Sequence, residues 1–166
     1  MTNFLRKCVI VILTWEARLV LARYKPRIIA VTGSVGKTTT KDAIFAAISD
    51  ELHVRKSAQS LNGEIGVPLT ILGCENAWND PLRWLTNIFR GLLLVVHAPS
   101  YPDWIVLEVG ADRPGDIRRI ARWIRPDIAV ITGAPEIPMH VEYFDSPDEV
   151  LKEKRALAEY LKPGGK

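Results

Sequence analysis

Ile28-Ile-Ala-Val-Thr-Gly-Ser-Val-Gly-Lys-Thr-Thr-Thr40 is a short β-branched run that enters a glycine turn and then Lys-Thr at the mouth of a helix. Backbone N–H groups of a glycine turn and of a helix start converge on an anion, and the helix dipole favours negative charge there. The stretch from Gly33 through Ser34, Val35, Gly36, Lys37, Thr38 and Thr39 therefore reads as a nucleotide phosphate loop. Lys37 would reach the terminal phosphates and the Thr38 hydroxyl would sit on Mg²⁺. Val31 stands where the longer motif has another glycine, so the loop alone could be an ordinary turn before an exposed lysine. Its flanks favour the phosphate site. Ile28 to Val31 has strand composition, and Ala43, Ile44, Ala47 and Ile48 recur at helical spacing over Thr38 to Ser49.

Outward from this stretch, 166 residues with 48% hydrophobic content suit one globular domain and exclude disordered or fibrous classes. A net charge of +3 is spread along the chain, without the basic blocks or aromatic-basic interleaving of a nucleic-acid surface. Cys8 and Cys74 lack metal-ligand spacing and read as small apolar fillers of a reduced, cytoplasmic protein. Cys8 to Trp15 is an apolar run too short to span a bilayer, and Glu16 and Arg18 end it. Residues 1–25 are expected to form an amphipathic helix, Asn3 to Ala22, that packs on the sheet or lies on a partner, with peripheral membrane contact as one option. A second apolar run, Ile88 to Ala98, is also too short to span.

Residues 26–166 alternate strand and helix patterns. His53-Val-Arg55 is a weak strand, and Gln59 to Gly66 is a turn-rich loop before Pro68, which could open a helix over Leu69 to Leu72. Asn76 to Tyr101 reads as a mostly helical insertion. Asp103 to Val109 is a buried strand, Pro114 to Ile124 a helix, and Asp127 to Thr132 another strand. Ser146, Pro147 and Glu149 signal the start of a last helix that runs to about Leu161. The expected fold is α/β: a wound, mostly parallel sheet around the phosphate loop with helices on both faces. The last helix should return into a further parallel strand, so the 26–166 domain reads as incomplete at its C-terminal end.

Ligands in such folds bind at the carboxyl ends of the strands. Glu108 lies near the end of an apolar strand, where an ionised carboxylate is costly unless it meets a cation, either Mg²⁺ or a salt-bridge partner. His140 follows the strand Ile128 to Thr132, and Lys152 and Lys154 lie on the final helix.

Four ordered segments resemble the central ATPase domain of the Mur ligases over roughly residues 26 to 166. They are Thr32-Gly-Ser-Val-Gly-Lys-Thr-Thr39, Leu61-Asn-Gly-Glu-Ile-Gly-Val-Pro-Leu69, Leu107-Glu-Val-Gly-Ala-Asp-Arg-Pro-Gly-Asp116 and His140-Val-Glu-Tyr-Phe144. Within that family the similarity leans to the type that adds D-alanyl-D-alanine to a UDP-MurNAc-peptide. The resemblance implies that ATP phosphorylates the peptide carboxylate and that the amine attacks the acyl phosphate. It implies that Lys37 holds the β and γ phosphates, that Thr38 and Glu108 place Mg²⁺, and that His140 serves a second Mg²⁺. It also implies a catalytic lysine carbamylated by CO₂, at Lys154 or its neighbour Lys152, and substrate-facing roles for Asn62 and Glu64. Lys154-Arg-Ala replaces the family's usual Lys-Gly-Glu, and Gly63 replaces a second asparagine.

The same motifs admit a folylpolyglutamate- or cyanophycin-synthetase type of ligase, and a nucleotide-binding module without turnover. Mur ligases add domains for the UDP portion and the incoming amino acid, so this chain is expected to need them in cis or from a partner chain, and to be weakly active alone.

Overall fold

The strand Arg27–Thr32, β1, is buried from its second residue onward, which is why its sequence is continuously apolar. The computed structural model describes residues 3–58, 61–97, 100–111, 113–133 and 147–166. In chain order its elements are α1 (Asn3–Tyr24), β1, α2 (Lys37–Ile48), β2 (Val54–Lys56), α3 (Gly66–Leu72), α4 (Pro81–Val96), β3 (Trp104–Glu108), α5 (Asp116–Ile124), β4 (Ile128–Ile131) and α6 (Pro147–Glu159).

The four strands form one parallel sheet in the order β2-β3-β1-β4. Ala30 lies opposite Leu107 on one side and Ala129 on the other, so β1 is central. Side chains alternate between the two faces. Ile29, Val31 and Val106 pack with Ile44 and Ile48 of α2, whereas Ile28, Ala30, Ile105 and Leu107 join a larger core. That core takes in Leu13, Ala17 and Val20 of α1, Ile117 and Ile120 of α5, and Leu157 of α6. The chain thus leaves β1 toward one face and β3 toward the other, and the carboxyl ends of these neighbours flank the switch point where ligands bind in such sheets.

The expected α/β class, the parallel sheet and the covered faces are all present. Some details differ from the sequence reading. Helix α3 starts at Gly66, so Pro68 is its third residue rather than its opening one. A proline fits there because the first-turn N–H groups have no intrahelical acceptor. Helix α1 lies against α3, α4 and α5, and its Leu13, Ala17 and Val20 share one core with the strand residues Ile28, Ala30, Ile105 and Leu107. Cys74 is buried, as expected of a filler, but Cys8 is only half-buried on α1. Ser146, read as an N-cap, lies outside the described residues, although α6 begins at Pro147.

After α6 the chain turns at Gly164 and comes alongside β4. The Lys166 N–H donates to the Asp127 carbonyl at 3.0 Å, and the Ala129 N–H donates to the Lys166 carbonyl at 2.8 Å. One residue bonded to both neighbours of its opposite number is the hydrogen-bond pattern of a parallel ladder.

Candidate functional site: the phosphate loop and Glu108

The loop between β1 and α2 is shaped by two glycines. Gly36, at φ 79°, turns the chain into α2 with no side chain capping the helix start, which leaves its first N–H groups to face an incoming anion. A Cβ on Gly33 would overlap Thr132 Oγ1, so only glycine lets the loop pass the end of β4. Thr132 Oγ1 donates to the Val35 carbonyl at 2.6 Å, and the Ser34 N–H donates to the Gly133 carbonyl at 3.2 Å. Thr32 Oγ1, buried at the root of the loop, has no hydrogen-bond partner among the described residues.

Two cations lie on this loop. Lys37 Nζ donates to the Gly33 carbonyl at 3.0 Å, and Lys154 Nζ reaches from α6 to donate to Ser34 Oγ at 2.7 Å. Burial, and then the nearby Lys37 charge, hold the Lys154 ammonium below its ordinary pKa. Lys152, the alternative on the same helix, is exposed.

Glu108 ends β3 beside the loop and is buried. Thr38 Oγ1 donates to its Oε2 at 2.9 Å, and Asn62 Nδ2 donates to its Oε1 at 3.2 Å. Lys41 Nζ stands 3.7 Å from Oε2 and is itself buried. The Glu108 backbone N–H donates to Ser57 Oγ at 3.1 Å, which ties the end of β3 to the segment before α3. Gly110 leaves room for Asn62, whose carbonyl accepts the Gly110 N–H at 2.8 Å.

The structure therefore brings together Gly33 to Thr39, Lys154, Glu108 and Asn62. It sets Glu64 apart: its carboxylate lies half-exposed, 3.0 Å from Arg119 Nε on α5. His140 lies outside the described residues. Sequence reading missed Lys41, Ser57 and Thr132. Lys41 left a signal, since it follows Lys37 by four residues and Thr38 by three and so shares their helix face.

A hydroxyl and a carboxylate oxygen side by side are hard donors that suit Mg²⁺, which takes few protein ligands and completes its shell with phosphate and water. Among the described residues there is no group of three or more His, Cys, Asp or Glu that could hold a metal by themselves. The donor set thus fits a cation delivered with a nucleotide rather than a protein-only cage.

Known proteins resemble this chain in sequence and fold. Residues 88–166 match the family model described as the Mur ligase middle domain. The UDP-N-acetylmuramoyl-tripeptide–D-alanyl-D-alanine ligase of Bacillus subtilis is 32% identical over 149 residues, covering 90% of this chain and 27% of that protein. The protein of the same name from Synechocystis is 54% identical over 110 residues, 66% of this chain and 19% of that one. The crystal structure of the MurF ligase from Thermotoga maritima in complex with ADP superposes with a TM-score of 0.66 at 26% identity, covering 93% of this chain and 30% of that one. The chain spans about a quarter of the length of the curated relatives it matches. With the parallel sheet, the phosphate loop and Glu108 in place, the chain belongs to the Mur ligase family and folds as that family's middle domain.

Proposed function

We propose that this chain binds ATP with Mg²⁺ and serves the activation step of a cell-wall amide ligation, in which a UDP-MurNAc-peptide carboxylate becomes an acyl phosphate for attack by D-alanyl-D-alanine. The observation that carries this reading is the convergence of Lys37 and Lys154 on one phosphate loop, with the Thr38–Glu108 pair beside it. The loop N–H groups and Lys37 would hold the β and γ phosphates, and positioned cations of this kind stabilise the charge of phosphoryl transfer. Bound Mg²⁺ would screen the phosphate oxygens, with Thr38 and Glu108 as its protein ligands and His140 proposed for a second ion. Burial raises the neutral fraction of the Lys154 amine, the form that adds CO₂ to give a carbamate and a proton, which favours Lys154 over Lys152 for that role. Asn62, held on Glu108, is proposed to face the peptide substrate, as is Glu64 at the rim beside Arg119. The reaction is placed in the cytoplasm, where ATP is supplied.

Titration of Mg²⁺-ATP into the chain and into Lys37→Ala tests the shared core by calorimetry. Loss of a charge-assisted phosphate contact should weaken binding by about tenfold or more; equal binding by both proteins would remove the phosphate site. Formation of the amide product from UDP-MurNAc-tripeptide and D-alanyl-D-alanine tests the substrates. A second reading, a nucleotide-binding module without turnover, draws on the quarter-length coverage of the relatives. Nucleotide binding without product, even when the remaining ligase domains are supplied, would favour it.

A further inference from the structure

Helices α1 and α4 lie side by side in the same direction: Leu5 and Val9 meet Pro81 and Leu85 at one end, and the Arg23 guanidinium donates to the Val95 carbonyl at the other. The outer side of α4 is apolar along its whole length. Leu82, Leu85, Phe89, Leu93 and Val96 are 74%, 65%, 61%, 49% and 71% exposed, and their spacing places them on one face. A groove of about 490 Å³ between the helices continues this surface inward, and Trp15 on α1 and Trp78 before α4 are exposed. So continuous an apolar face on a folded chain marks an interaction surface.

Charge says what covers it. Arg6, Lys7, Arg23, Arg83 and Arg90 are exposed on the two helices, while Glu16, the one acidic residue in either of them, is buried. A second copy docked face to face would set these cations against one another. An anionic, apolar counter-surface would satisfy both features. Leu, Phe and Trp on one side with Arg and Lys around them is the composition of a helix that lies in a lipid headgroup layer. No helix among the described residues is long and apolar enough to cross a membrane, so contact would be lateral. We propose that the α1–α4 face docks on the surface of an anionic phospholipid bilayer, independently of nucleotide.

The test is co-sedimentation of the chain with vesicles of phosphatidylcholine alone or with phosphatidylglycerol added, read alongside tryptophan emission. Binding to the anionic vesicles, a blue shift of the emission, and release when salt rises from about 0.1 to 1 M, which shortens the screening length from about 10 to 3 Å, are expected. Leu85→Asp/Phe89→Asp changes only exposed side chains and should lower vesicle partition at least about tenfold while the circular dichroism melt stays intact. Arg83→Gln/Arg90→Gln should reduce the preference for anionic vesicles. No vesicle binding, equal partition into both vesicle types, or binding that survives the aspartate pair would overturn the proposal. So would a concentration-dependent dimer that the aspartate pair dissociates without any vesicle binding, since that assigns the face to a second copy.

Discussion

Glu16 is a carboxyl sealed between α1 and α4, with neither oxygen hydrogen-bonded to another described residue. Burial raises its pKa from the ordinary 4.5 to about 7. The folded chain therefore holds this proton over a range in which the unfolded chain has lost it, and stability falls as pH rises from about 4.5 to 7. The full effect is about 3 kcal/mol. Urea unfolding of the chain and of Glu16→Gln at pH 5 and pH 7.5 should show a smaller loss in the variant; parallel losses would refute the assignment. Lys41 is the counterpart at the site, a buried cation beside Glu108. Lys41→Met should cost about 2 kcal/mol, read by the same unfolding, because it leaves a buried carboxylate short of a partner. Glu108 and Lys37 were legible because their residue types are anomalous in their surroundings, a charge in an apolar strand and a lysine after a glycine turn. For Lys41 only its spacing from Lys37 and Thr38 was legible, not its burial, because a lysine on a helix faces water unless something unseen in the sequence turns that face inward.

The contact of α1 with α4 depends on a missing side chain. A Cβ on Gly91 would overlap Glu16 Oε2, so Gly91→Ala should destabilise the chain by about 1–3 kcal/mol despite the better helix propensity of alanine. In Glu16→Ala/Gly91→Ala the overlap is gone, and thermal melts should show the double change costing less than the sum of the single ones. Helix α4 starts at Asp80, whose side chain accepts the N–H groups of Leu82 and Arg83 at 3.0 and 3.2 Å. Asp80→Ala should cost about 1 kcal/mol. Strands β1, β3 and β4 were readable since a strand covered on both faces is continuously apolar, α2 and α5 since their apolar positions recur at helical spacing, and α6 from its start signal at Ser146, Pro147 and Glu149. The insertion containing α4 was readable as helical, but not its orientation. Periodicity marks an apolar face without saying whether protein lies against it, and here the wide apolar arc is only partly covered.

For the molecule as a whole, a ligand that binds only the folded state adds stability by mass action. Mg²⁺-ATP at 100 times its dissociation constant should add about 2.7 kcal/mol and raise the melting temperature by roughly 5–10 °C. Lys37→Ala should lose most of that rise in a calorimetric scan. The fold class followed from the alternation of strand and helix; the strand order did not, because which strands become neighbours is decided by the packing of helices on the two faces. Among the described residues that packing leaves the sheet with two unlike margins. One is β2, three residues long and carrying Arg55 and Lys56. The other is β4, where Lys166 already occupies the Asp127 carbonyl and the Ala129 N–H. Short, charged or occupied margins are poor templates for another chain's strand. At high concentration this protein should resist β-type aggregation, and any clumping should begin at its helices.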